Sequence, residues 1–138
     1  METDKEAAPS AAAALYSPGL QVLFIMLGAI PGALLRWKIN LAFSNNSRWS
    51  TVGINAVGSL ILGVVGALGN TVATPVTLAI GTGFCGSFTT FSTYSVDVVK
   101  LFDANSPGEA ILVVFLTNFL GLGLAALSYM LTKSGMRR

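Results

Sequence analysis

Apolar residues run along the chain in long blocks that charged residues interrupt only at intervals. No Asp, Glu, Lys or Arg occurs between Trp49 and Val96. One helical crossing of a bilayer needs only about 20 residues, so this block holds two. Leu20–Leu35 is a second uncharged block, extendable through Arg36 and Lys38 toward Phe43, and Ala110–Thr132 is a third. The pattern predicts four membrane-spanning helices, near 18–43, 51–69, 75–100 and 106–132. Ser17-Pro18, Thr74-Pro75 and Ser106-Pro107 each place a capping hydroxyl before a proline suited to the first helical position. Ser106 with Glu109 also matches a capping box. The links are short, as between antiparallel neighbours. The expected fold is an all-α membrane protein with one transmembrane unit over 18–132. Residues 1–17 form a disordered or interfacial tail and 133–138 a basic tail.

Within the spans, polar and small residues are spaced to meet other helices. Gly28 and Gly32 form a GxxxG pair, and Asn55, Ser59 and Gly63 form an i, i+4, i+8 stripe in the second span. Pro31 removes a backbone donor and is expected to bend the first span. The stretch GTGFCGSFTTFSTYS (Gly81 to Ser95) concentrates glycines and hydroxyls in the middle of the third span. Glycine and backbone-bonding hydroxyls both weaken a continuous helix, so the third helix is expected to break here. Irregular backbone at membrane depth is tolerated where it is buried in protein or lines an ion site. After the break, Phe91 and Tyr94 share one helix face, with Ser95 one residue further along. Aromatic rings have positive edges and can face an anion without a formal charge. Packing alone is the other reading of this pair.

Composition fixes the class. Of 138 residues, 53% are hydrophobic and 10% charged, and the mean hydropathy is +0.71. These values belong to a membrane protein. The first eighteen residues carry three acids and one lysine, a poor pattern for a cleavable signal. One cysteine, Cys85, offers no disulfide framework or metal cluster, and the lack of His argues against hydrolytic chemistry. The chain does not read as an enzyme or as a nucleic-acid binder. Four spans put Lys5, Lys133, Arg137 and Arg138 on one side and Arg36, Lys38, Arg48 and Lys100 on the other. This balance leaves orientation undecided and fits insertion both ways, hence an antiparallel dimer. If Lys5 and the last arginines lie too far from the bilayer to count, a slight bias remains instead. Arg36 either snorkels to the interface or gathers anions at a vestibule. Asn55 either bonds another helix or offers its amide to an ion.

Three segments carry a family resemblance over roughly residues 20 to 132. GALLRW (Gly32 to Trp37), NAVGSLILG (Asn55 to Gly63) and TGFCGSFTTFSTYSVD (Thr82 to Asp97) resemble the first-, second- and third-helix motifs of the Fluc (CrcB) family of small fluoride channels. The third is close to the family signature TGFxGGxTTFSTFSxE. The resemblance implies an antiparallel dual-topology homodimer in the lipid bilayer of a plasma or inner membrane. It implies two fluoride pathways and a structural sodium ion at the dimer interface, held by backbone carbonyls of Gly86 and Thr89. Phe91 and Tyr94 would line each pathway, with Ser92, Thr93 and Ser95 as hydroxyl neighbours and Asn55 facing the same ion. Arg36 would stand at the vestibule. In the fourth helix, NFLG (Asn118 to Gly121) points to Asn118, with Thr117 as the substitute. Two positions depart from the family pattern: Tyr94 stands where Phe is usual, and Ser87 where a second Gly is usual. Asp97 holds the family's Glu position. A proton-coupled exporter of the small multidrug resistance type also has four short helices. It needs a titratable carboxylate within the membrane; the first span has none and Asp97 lies near the end of the third. A purely structural helix-packing subunit would leave the hydroxyl-rich stretch unexplained.

Overall fold

A computed structural model describes residues 17–43 and 47–137. Helix α1 spans Pro18–Ala42 and α2 spans Ser47–Leu68, followed by a 3₁₀ turn at Gly69–Thr71. The third span is divided: α3 covers 74–88, its middle wound as a π-helix at Leu78–Cys85, and α4 covers Phe91–Asp103. Helix α5 spans Pro107–Gly135. Helices α1, α2 and α5 are each long and apolar enough to cross a bilayer; the third span is interrupted and carries more hydroxyls and glycines. The chain is an integral, multi-pass, all-α membrane protein. The tail expected over 1–17 lies, Ser17 apart, outside the described residues, as do Lys5 and Arg138.

The prolines mark the three helix starts as expected, but the hydroxyls beside them do not cap. Ser17 and Ser106 sit at N-cap positions without a side-chain capping bond, and Thr74 already lies inside α3, whose N-cap is Ala73. The expected capping box is absent for a physical reason. Glu109 turns to Arg48, whose Nε donates to Glu109 Oε1, a charge-assisted bond linking the starts of α2 and α5. Ser106 meanwhile closes α4. Asn105 takes a left-handed conformation (φ 56), its N–H reaches the Phe102 carbonyl and the Ser106 N–H reaches Leu101, a Schellman closure. That closure lets α4 run three residues past the expected end. At the other terminus α5 continues to Gly135, so Lys133 stands on its last turn with Nζ 5.7 Å from the centre of the Tyr129 ring.

Lipid tails give apolar helices no reason to leave lipid for each other, so close backbone approach must hold the bundle. Helix α1 lies on the π-helical part of α3, and α2 lies along α5. Gly28 and Gly32 face Ala79 and Phe84 so closely that a Cβ on either would strike backbone atoms. Gly63, the end of the predicted stripe, does the same against Ala125 and Ser128 of α5. The helix continues through Pro31, which stands on the exposed side. A small core of Val52, Tyr94, Leu101, Ala110 and Val113 locks α4 between α2 and α5. This positions the broken third span against both long helices.

Candidate functional site

The break consists of two extended residues, Thr89 (φ −78, ψ 158) and Thr90 (φ −153, ψ 112). Asn55 of α2 holds it open. Its Nδ2 donates to the Thr90 carbonyl at 3.1 Å, and its Oδ1 accepts from the Thr90 N–H at 2.8 Å. The side-chain amide thereby satisfies both backbone groups of one residue, as a neighbouring strand would. In a continuous helix the Thr90 N–H would reach back four residues to the Gly86 carbonyl; Asn55 takes it, and that carbonyl is released. Thr90 then starts the next helix, since its Oγ1 accepts from the Thr93 N–H at 3.2 Å as a side-chain N-cap. The same oxygen lies 3.0 Å from Thr93 Oγ1 and 3.4 Å from Ser92 Oγ. Thr89 folds its hydroxyl back onto the Cys85 carbonyl at 2.9 Å, while its methyl occupies the space left by Gly58.

Beside the break lies a cavity of about 300 Å³ between α2, α4 and α5. It brings together Asn55, Thr89, Phe91, Tyr94, Thr117 and Asn118 among the residues expected from sequence, and adds Ser59 and Thr90. Phe91 is 78% exposed, whereas Tyr94 is buried; their ring centres are 5.6 Å apart and the planes tilt by 54°. The Tyr94 hydroxyl accepts from Asn118 Nδ2 at 3.2 Å. Thr117 Oγ1 is buried and has no hydrogen-bond partner among the described residues. Among the described residues, none that lines it carries a charge.

Other expected residues stand apart from this cavity. Ser92 and Thr93 belong to the capping cluster around Thr90, and Ser95 Oγ donates to the Phe91 carbonyl at 2.9 Å within α4. Gly86 is exposed, with open space where a Cβ would be. Arg36 is half-buried near the end of α1, a helix that contributes no lining residue among those described. Asp97 is buried and accepts from Thr51 Oγ1 at 3.2 Å, which ties α4 to α2 below the break. Sequence reasoning missed Thr90 as the pivot of the site. Its signal was present, a threonine three residues before Thr93 at the point where helix-weakening residues end.

A neutral crevice with hydroxyls, amides and aromatic rings, set against a broken helix of a multi-pass membrane protein, is the kind of place where membrane proteins hold small ions. The sequence profile of the family described as CrcB-like protein, Camphor Resistance (CrcB), matches residues 23–129, and the chain belongs to that family. Fluoride-specific ion channel FluC 2 of Synechococcus sp. (strain CC9902) is 39% identical over 111 residues, covering 80% of this chain and 78% of its own. Fluoride-specific ion channel FluC of Oceanobacillus iheyensis is 39% identical over 109 residues, covering 75% and 84%. Fluoride-specific ion channel FluC 1 of Halobacterium salinarum is 40% identical over 115 residues, covering 79% and 91%.

Proposed function

We propose that this protein is a fluoride-selective channel that lets fluoride leave passively and so protects against its toxicity. The observation that carries this reading is the uncharged cavity, apolar with a few hydroxyls and amides, at the Asn55-clamped break. Fluoride is small and strongly hydrated, so a dry passage must replace water with fixed hydrogen-bond donors, while a lysine or arginine there would trap the ion. Hydroxyls, an amide and ring edges meet both needs. A proton-coupled exporter is disfavoured, because no carboxylate is among the described residues that line the cavity.

The working unit in this proposal is an antiparallel dual-topology homodimer with two pathways. The 78% exposure of Phe91 in the single subunit supports it, since a large ring at the mouth of a polar cavity gains a packing surface from a second copy. A sodium ion at the dimer centre fits the break: unwound backbone carbonyls are sodium ligands in membrane proteins, and Gly86 has both a released carbonyl and open space around it. Gly86 and Thr89 would hold that ion, whose charge would fix the two breaks to each other. Arg36 would raise the anion concentration at a vestibule.

The test is fluoride efflux from liposomes carrying the purified protein, read with a fluoride electrode beside a chloride control. Rapid fluoride loss with retained chloride is expected; efflux equal to that of empty vesicles from folded protein would refute the reading. Phe91→Ile removes the ring edge while disturbing little packing within the subunit, so flux should fall at least about ten-fold with unchanged folding. Full flux in that variant would remove Phe91 from the pathway.

A further inference from the structure

The hydrogen bonding of Tyr94 carries a consequence for how an anion is recognised. Asn118 Nδ2 lies 2.8 Å from the Val114 carbonyl and 3.2 Å from the Tyr94 hydroxyl. Nitrogen and oxygen of an amide are assigned by their partners, and here the assignment is forced. An amide oxygen 2.8 Å from a carbonyl oxygen would be repelled, so the atom facing Val114 must be the NH₂. The same NH₂ therefore donates to Tyr94, and the phenol oxygen is the acceptor. Its own proton is directed elsewhere, and no acceptor for it is found among the described residues. Thr117 of α5 lines the same cavity, and its Oγ1, buried beneath that lining, is also without a partner among them. A buried donor left unmade costs about 1–3 kcal/mol, so the uncommitted Tyr94 proton beside this cavity points to an occupant that accepts hydrogen bonds.

We infer that the Tyr94 O–H, oriented by Asn118, is a direct hydrogen-bond donor to a small anion in the cavity between α2, α4 and α5, with Asn118 as its positioning residue. This rests on the fluoride-channel reading and deepens it: the second ring of the aromatic pair recognises the ion through a hydroxyl rather than through a ring edge alone. Water can accept the same proton when no anion is present, so the distinguishing property is saturable response to the ion.

The full-length dimer carrying 3-fluorotyrosine at position 94 is titrated with sodium fluoride in detergent at neutral pH, with sodium gluconate as the ionic-strength control. The ring fluorine sits beside the hydroxyl, and its ¹⁹F resonance should shift saturably with fluoride and not with gluconate. In liposomes, Tyr94→Phe should conduct but need roughly ten-fold more fluoride for half-saturation, as expected for a lost bond to a charged group. Asn118→Ala should weaken binding in the otherwise wild-type protein and add little when combined with Tyr94→Phe, since it acts through the hydroxyl. An unshifted resonance with equal half-saturation in wild type and Tyr94→Phe would overturn the inference while leaving fluoride conduction standing. Additive effects of the two substitutions would overturn the positioning role of Asn118. A wild-type protein that conducts no fluoride would instead overturn the channel reading, and the ¹⁹F titration would still report whether the hydroxyl meets the ion.

Discussion

Asn55→Ala is expected to abolish fluoride flux and to lower the stability of the solubilised protein by about 2–6 kcal/mol, since each of two buried groups left unpaired costs about 1–3 kcal/mol. Thr90 is 6% exposed, and Asn55 supplies partners for both its N–H and its carbonyl. Alanine removes the partners of both groups at once, and cavity water is a poorer replacement than one fixed amide that matches both. The chain has one local way to recover: Thr90 can rotate toward helical geometry and return its N–H to Gly86. That rotation closes the break, withdraws the Gly86 carbonyl and removes Thr90 Oγ1 from the N–H of Thr93. Asn55→Asp keeps the acceptor for the Thr90 N–H but sets a carboxylate oxygen against the Thr90 carbonyl, so it should also lose flux. Thermal unfolding in detergent and fluoride efflux, measured on the same preparations, check both parts. An alanine variant with wild-type stability and flux would show that the break does not depend on this clamp.

The spans were legible because the membrane imposes a one-dimensional rule. Charge-free blocks of sufficient length became α1, α2 and α5, and the doubled block between Trp49 and Val96 resolved into α2 and the interrupted third span. The break itself was legible from glycines and hydroxyls crowded between Gly81 and Ser95. What stayed hidden was which partner each polar group would choose. Ser106 and Glu109 satisfy the spacing of a capping box, yet Arg48, sixty-one positions from Glu109, offers a charge that the Ser106 N–H cannot match. On sequence alone Asn55 reads as either an interhelical hydrogen bonder or an ion-facing amide. The structure shows the first use, directed at backbone rather than at a side chain, and leaves the amide lining the cavity all the same. Tyr94 and Asn118 were separate candidates in the sequence; only the fold brings their polar ends together, and only the Val114 carbonyl orients the amide. The loose winding of Leu78–Cys85 had no sequence signal, because a π-helix differs from an α-helix in which carbonyl each N–H selects, not in residue periodicity that a short apolar run could display.

That loose winding sets up the largest structural effect expected in the molecule. Gly28 and Gly83 face each other across the α1–α3 seam: a Cβ on Gly28 would strike the Ala79 carbonyl and the Phe84 amide nitrogen, and one on Gly83 would strike the Ile25 carbonyl and Gly28 Cα. These are backbone atoms of two packed helices, so no side chain can swing aside to make room. Gly28→Val should therefore separate α1 from α3 and leave little monodisperse protein, a loss beyond about 4 kcal/mol, the size reserved for a core that cannot relax. Because a membrane supplies no hydrophobic force to push the helices back together, the lost close contact has no substitute. Gly123→Ala is the control, since nothing lies within 4 Å of its added methyl, and it should purify as wild type. Yield and monodispersity by size-exclusion chromatography decide the matter. If Gly28→Val elutes and melts like the control, the seam is not what holds α1 against the π-helix. If it does not, the close approach of Gly83 to Gly28 also anchors the α3 side of the break, while Asn55 holds Thr90 on its α4 side.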